Sequence, residues 1–427
     1  MQHEVNTVLN RLYKSESSKL IAVLIRVFGP ENIDLAEDTL QDAFNRALHN
    51  WREHGIPPKP AAWLMQTAKN RAIDIIRANK NALKFSADLS RYLESEWSLS
   101  CAVESEFKEE KIQDDQLRMM FMCCREDLSV ANQIPLLLKL LCGFSTTAVS
   151  RALLIPEATV KKRLLRTRQQ LKGAAFDMPP PEKMSSALNT VHTVIYLLFN
   201  EGFHSSGGKE VINRLFCMEA LGLAKLLIET PAIANRDTYS LLALLNFHMA
   251  RLDSRLDEQG QAIPLDMQDR RLWSKELVIQ GDALLAKARE YVQDDANGRF
   301  FYEALIAREH CQSTSFDATN WPAIVYYYFK LIAITQSPLA MLNQAIAIAY
   351  SGSNELAIKR VTELQENKTF KNSHLPLATL AHLYAKAGSR QQAMRHAEAA
   401  MALGGTALEQ ALMLKQIERH LTLNLSA

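Results

Sequence analysis

The chain has 427 residues, 48% of them hydrophobic, enough for real cores and for about two to four domains. Only 15 Gly and 14 Pro exclude a disordered or all-β chain, and long Ala/Leu/Glu/Lys/Arg-rich stretches predict an all-α fold. The net charge of +2 excludes little by itself, because charge is segregated along the sequence.

In chain order, the pattern is helical from about residue 5 to 80. SKLIAVLIRVFG forms a helix that stops at Gly29-Pro30. IDLAEDTLQDAFNRALHNW sets apolar residues at i, i+3 and i+4 beside an acidic face. The Gly and three Pro of REHGIPPKP make a loop, and AAWLMQTAKNRAIDIIRANK is a third helix. That helix mixes aromatic, amide and basic side chains: Trp63, Lys69, Asn70, Arg71, Arg77 and Lys80. Such a mixture suits opened single strands, whose bases stack on aromatic faces for about 1–3 kcal/mol each. The Pro-rich loop after Trp51 could form a rigid pocket for one unstacked base. The other reading of Trp63 is core packing at a helix start.

Residues 86–115 hold nine acids against Arg91, Lys108 and Lys111 and read as a partly helical acidic linker. Helical pattern returns over 116–172. Within it, Ser145, Thr146 and Thr147 offer cap chemistry to a helix with Ala148, Val149, Ala152 and Leu153 on its apolar face. Ile155-Pro156 breaks the run, and Pro suits the start of the next helix. That second helix is expected to bury Val160, Leu164, Leu165 and Leu171 and to expose Lys161, Lys162, Arg163, Arg166 and Arg168. The two form a helix-turn-helix whose second member would enter a major groove. Glu157, Thr159, Lys162 and Arg163 would face base edges, while Arg166 and Arg168 would lie nearer phosphate. The bland alternative is a solvated basic helix on another bundle.

Pro179, Pro180 and Pro181 mark a boundary, and helical pattern fills the remaining residues. AYSGSNELAIKRV and YAKAGSRQQAMRHA match at an offset of 36, pairing Gly352 with Gly388, Ala357 with Ala393 and Ala345 with Ala381. This is close to the ~34-residue tetratricopeptide period. FFYEALIAREHC and WPAIVYYYFKLIAIT form a candidate earlier unit. His192, Glu201 and His204 fall short of a metal site, because no third ligand is evident beside Glu201 and His204. The six cysteines include no C-x-x-C pair and suit a reducing cytosol. The N-terminus lacks the apolar core of a signal peptide, and no apolar run is long enough for a membrane span.

LAEDTLQDAFNRALHNW, PAAWLMQTAKNRAIDIIR, the acidic linker and the helix-turn-helix, in that order, resemble an extracytoplasmic-function (ECF) sigma factor. DDQLRMMFMCCREDLS, IPEATVKKRL and VIYLLFNEGFHSSGG resemble the subgroup with a long tetratricopeptide-type C-terminal extension. The resemblance implies region 2 over 1–84, an acidic linker over 85–113, region 4 over 114–176 and a helical regulatory extension over 177–427. It implies that Asp38, Gln41, Asp42 and Phe44 dock on the β′ coiled coil of RNA polymerase core, with the β flap as a further partner surface. It implies that the loop from Trp51 to Pro60 captures a flipped −10 base, that Asn70 faces the −10 strand, and that Lys161 to Arg168 read the −35 element. The helix over 61–80 is less basic at its end than in many relatives. The implied protein is cytoplasmic and binds promoter DNA, with a regulatory protein or peptide at its extension. It has no catalytic site, cofactor or metal. Two rival readings are a stand-alone helix-turn-helix regulator and a tetratricopeptide-like scaffold with its own activity.

Overall fold

A computed structural model describes residues 2–79, 102–153, 155–172, 174, 176–178, 180–203, 212–231, 233–291, 298–405 and 407–425. Among them the architecture is all-α, and extended pairing is confined to one antiparallel bridge, Leu256 to Ala262. None of the described helices is long and apolar enough to cross a membrane. The chain forms two compact units, Met1–Ala234 and Asn235–Ala427.

The first unit comprises α1 (Gln2–Phe28), α2 (Ile33–His54), α3 (Pro60–Ala78), α4 (Glu109–Cys123), α5 (Val130–Leu140), α6 (Thr146–Leu153), α7 (Glu157–Gln170), α8 (Pro181–Phe203) and α9 (Arg214–Ile228). Its centre is the second half of α1. Leu20, Ile21, Ala22, Val23, Leu24, Ile25, Val27 and Phe28 are all buried, so apolar residues cover every side of the helix. A helix apolar all round must be enclosed. Accordingly α1 packs against α2, α3, α4, α5 and α9.

The Pro run breaks a helix without ending the unit. Pro181 occupies the first position of α8, where a missing N–H costs nothing. α8 buries Val191, Val194, Ile195, Leu198 and Phe199. α9 buries Cys217, Ala220, Leu223, Ala224 and Leu227 and packs on α1 and α4. A hydrogen-bond chain pins this arrangement: Gln116 Nε2 on α4 donates to Ser18 Oγ on α1 (2.9 Å), which donates to Glu219 Oε1 on α9 (2.8 Å). The unit boundary therefore lies at 234/235, and residues 177–234 are built into the first unit rather than into a separate extension. His192, on α8, is fully buried and stays neutral, its pKa lowered to about 4 by burial. His204 lies outside the described residues.

The second unit comprises α10 (Arg236–Ala250), α11 (Lys275–Glu290), α12 (Arg299–Gln312), α13 (Trp321–Thr335), α14 (Pro338–Tyr350), α15 (Asn354–Leu364), α16 (Leu375–Lys386), α17 (Arg390–Leu403) and α18 (Ala407–Leu425). Each helix packs on its neighbour in sequence at α12–α13, α13–α14, α14–α15 and α16–α17. The 36-residue repeat is real in space. Gly352 and Gly388 close α14 and α16 with φ of 106° and 78°, a region that L side chains rarely adopt. Ala345, Ala357, Ala381 and Ala393 are all buried, letting paired helices approach closely.

The described cysteines are free thiols. Burial pushes Cys123, Cys124 and Cys142 upward, so these thiols stay protonated and act as small core residues. Asp115 on α4 is an electrostatic weak point of the first unit. It is 2% exposed, and desolvation raises its carboxyl to about 7, outweighing the nearby Arg26 and Arg118 cations. Its ordinary value is ~3.9, so the folded chain holds a proton that the unfolded chain releases between about pH 4 and 7. Stability contributed by this group is therefore lost as pH rises through that window. Thermal unfolding of Asp115→Asn should lie about 2–4 °C above the parent at pH 8, with the gap closing toward pH 4. A pH-independent gap would reject the assignment.

Candidate nucleic-acid interface

The third helix and its partner make a groove. α2 carries two adjoining polar stripes. Asp42, Asn45, Arg46, His49, Asn50 and Glu53 recur at helical spacing and face Trp63, Thr67 and Asn70 of α3 across a space of about 670 Å³. Asp42 anchors the floor, pairing with Arg46 (3.1 Å) and Arg71 (2.9 Å). Gln66 Nε2 donates to Asn70 Oδ1 (2.8 Å) and orients that amide. With its cations held by Asp42 and with Glu53 on its wall, the groove is not strongly electropositive. Such a surface suits the uncharged edges and faces of bases better than phosphates.

The two tryptophans divide the work. Trp51 was expected among the −10 side chains, but it is 0% exposed within a core of Val5, Leu9, Leu12, Ala47 and Leu64. A ring with no open face cannot stack a base. Trp51 instead props Trp63 edge-on, with centroids 5.5 Å apart and planes at 67°. Trp63 is half-buried and lines the groove. Arg77 is exposed at the end of α3, and Lys80 lies outside the described residues.

The acidic segment, described from residue 102 onward, touches this region. Lys69 pairs with Glu104 (3.2 Å), and Arg26 lies 3.9 Å from Glu106. Lys69 is thus already held by a carboxylate of the acidic segment.

The two helices expected to form the helix-turn-helix are α6 and α7, joined by a short turn. Ser145 Oγ accepts from Ala148 N–H (3.1 Å), capping α6. Thr146 and Thr147 donate instead to the two carboxylate oxygens of Glu157 (3.2 and 3.0 Å), tying the start of α7 to α6. Lys161 completes the set at 2.8 Å. These hydrogen bonds, with Lys161 first, hold the Glu157 carboxyl below its ordinary range. Val160, Leu164, Thr167 and Leu171 are buried, whereas Leu165, expected in the core, is 62% exposed. One residue past Leu164, it is carried about 100° round the helix, and the buried position falls to Thr167 at i+3.

Not all of the basic residues are presented outward. Thr159 is half-buried, and Lys162 and Arg166 are exposed. Arg163 turns back to α5, where Pro135 sits inside the helix. Proline has no N–H, so the carbonyl four residues earlier, at Ala131, lacks its helical donor. Arg163 Nη1 donates to that oxygen at 3.0 Å. Arg168 reaches α2, donating to Asp34 (2.6 Å) and Glu37 (2.5 Å), and Lys139 of α5 adds a second cation near Glu37 (3.6 Å). The second stripe of α2 is thereby engaged: Asp34 and Glu37 share it with the exposed Asp38 and Gln41. Gln41 lines a small cleft with Lys139. Phe44 is half-buried, edge-on to Tyr13 at 5.2 Å, so it supports the helix more than it projects from it.

Sequence reasoning missed Asn45, Arg46 and His49 as groove residues, although their spacing along α2 was the signal. It also missed the structural use of Arg163, whose clue was Pro135 inside a helical run.

Comparison with known proteins adds three findings. Residues 12–82 match sigma-70 region 2, a stretch that contains both α2 and α3. Residues 187–289 match a family of unknown function, DUF6596, which runs across the boundary of the two units. The chain is 32% identical over 356 residues to uncharacterized protein R00370 of Rhizobium meliloti (strain 1021), covering 82% of each chain.

The two kinds of cation on α7 should behave differently. Arg163→Ala leaves the Ala131 carbonyl to water and should cost about 1 kcal/mol of stability in chemical denaturation. Lys162→Ala should stay within about 0.5 kcal/mol of the parent. Equal effects would remove the structural role of Arg163.

Proposed function

Because the chain belongs to the family of this Rhizobium relative and carries a sigma-70 region 2 in its first unit, we propose that it is an ECF-type RNA polymerase sigma factor. In this reading it directs core polymerase to promoters and helps to open them. The observation that carries it is the α2–α3 groove: its Trp63 wall, amides and His49 lie wholly inside the region 2 stretch. Trp63 and Asn70 would hold an unstacked −10 base, with Lys69, Arg71 and Arg77 beside the strand. Capturing a base offsets an unstacking cost of a few kcal/mol per step. Lys162 and Arg166 would meet the −35 duplex, with Thr159 and Glu157 at the groove end of α7 and Lys161 beside them.

The stripe Asp34, Glu37, Asp38 and Gln41 would serve two partners in turn. In the packed arrangement it receives Arg168 and Lys139 of the helix-turn-helix half. In the working arrangement Asp38, Gln41 and Asp42 would meet the β′ coiled coil, and Arg168 would be released to phosphate. The acidic linker would thread a basic channel of the polymerase once Glu104 leaves Lys69. The paired helices of the second unit are read as tetratricopeptide-like repeats, a modulatory surface for a protein or peptide. No reaction is assigned to the chain.

One transcription measurement and one binding measurement test the reading. With purified core polymerase on a pool of promoter fragments, the full chain should support initiation, and Lys162→Ala/Arg166→Ala should reduce output at least about tenfold while core binding persists. Duplex binding that needs no core, with no initiation in its presence, would favour the stand-alone regulator instead. Separately, Asp34→Asn/Glu37→Gln should free Arg168 and raise duplex affinity, steepening the salt dependence by about 0.9 in log–log slope. An unchanged slope would mean that Arg168 does not reach DNA.

A further inference from the structure

The second unit contains a pocket that the reading above does not use. It encloses about 490 Å³, within the 300–1,000 Å³ typical of small-molecule sites. Five helices wall it: α12, α13, α14, α16 and α18, with the turn at Leu265–Met267 beside them. One side is aromatic. Trp321 stacks on Tyr350 with centroids 4.8 Å apart and planes at 22°, and Phe316 packs edge-on to both. Ile324, Ile346, Leu375, Leu412 and Met413 supply the aliphatic remainder.

The polar groups of the wall are neutral or already matched. Asp266 is paired with Arg419 of α18. Glu409 is exposed and marks the rim. Tyr350 Oη lies 2.9 Å from His382 Nε2 and 3.4 Å from His420 Nε2. Burial drives His382 to about 3, assisted by His420 and Lys386, and drives His310 to about 3, assisted by Arg251 and Arg270. Both imidazoles are thus uncharged near neutral pH. His310 lies edge-on to Trp321 at 5.4 Å, and its buried Nδ1 has no hydrogen-bond partner in the protein. Asn343, Thr379 and Gln416 add uncharged hydrogen-bonding groups.

These features select the occupant. Among the described residues lining the pocket there is no Lys or Arg to receive an anion. A cation would find Asp266 already neutralised. Burying an unpaired charge costs far more than burying a ring. Asn343, Thr379 and Gln416 leave room for a ligand with an uncharged hydrogen-bonding group. We propose that this pocket binds an uncharged, ring-bearing small molecule that packs against the aromatic wall of Phe316, Trp321 and Tyr350. The proposal is independent of the function assigned to the first unit.

A matched pair of fluorescent probes tests it on the full chain. N-phenyl-1-naphthylamine is neutral, and 1-anilinonaphthalene-8-sulfonate is its anionic counterpart. The neutral probe should show an enhancement that saturates at one molecule per chain, and the sulfonate should bind at least about tenfold more weakly. Ile346→Trp on α14 and Ala378→Phe on α16, which fill the space from two sides, should each weaken the neutral probe about tenfold or more. Hydrogen exchange on the unmodified chain gives a readout that needs no variant: the probe should slow exchange within 338–350, 375–386 and 407–425. The proposal is overturned by non-saturable enhancement, by equal binding of the sulfonate, or by protection confined to other segments. Filled variants that melt like the parent yet bind it unchanged would overturn it as well.

Discussion

The first unit is organised by one constraint: in the run from Leu20 to Phe28 on α1 every residue but Arg26 is apolar and buried, and these residues point to nearly every side of the helix. No single partner helix can cover such a surface. Helices from before and after the acidic segment must converge on it, and α2, α3, α4, α5 and α9 do so. The Gln116–Ser18–Glu219 chain then sets the register of three of these helices through groups that would be costly to leave unpaired. The α2–α3 groove and the α6–α7 helix pair are therefore two surfaces of one packed body rather than two beads on a string.

Charge is distributed within that body according to what must be satisfied first. Arg163 meets a carbonyl stranded by Pro135, Arg168 meets two carboxylates on α2, and Lys69 meets Glu104. Lys162 and Arg166 remain on the surface. The aromatic pair shows the same economy: Trp51 fills the core so that Trp63 can stand half-open at the groove. A basic or aromatic side chain is thus available to a ligand only after the fold's own vacancies are filled.

The second unit follows a simpler rule. Small residues at fixed spacing, Ala345, Ala357, Ala381 and Ala393, let helix pairs stack closely, and glycines with positive φ turn the chain between them. Where bulk replaces small residues, at Phe316, Trp321, Tyr328 and Tyr350, the stack encloses a pocket with neutral histidines in its wall. The contrast between alanine seams and an aromatic chamber is the main chemical asymmetry of this half.

Much was legible in the sequence by itself. Apolar spacing and scarce Gly and Pro determined an all-α chain. Gly29-Pro30, Pro156 and the Pro run at 179–181 determined helix limits, and the offset of 36 determined a repeat. These are local properties, set by backbone sterics and by one helix's own periodicity. Tertiary structure decided what periodicity cannot. It placed the unit boundary at 234/235 instead of at the Pro run, because α8 and α9 bury their faces against helices distant in sequence. It buried Trp51 and turned Arg163 and Arg168 inward. The physical reason is common to all three: a side chain's availability depends on which distant group lacks a partner, and no window along the chain contains that information.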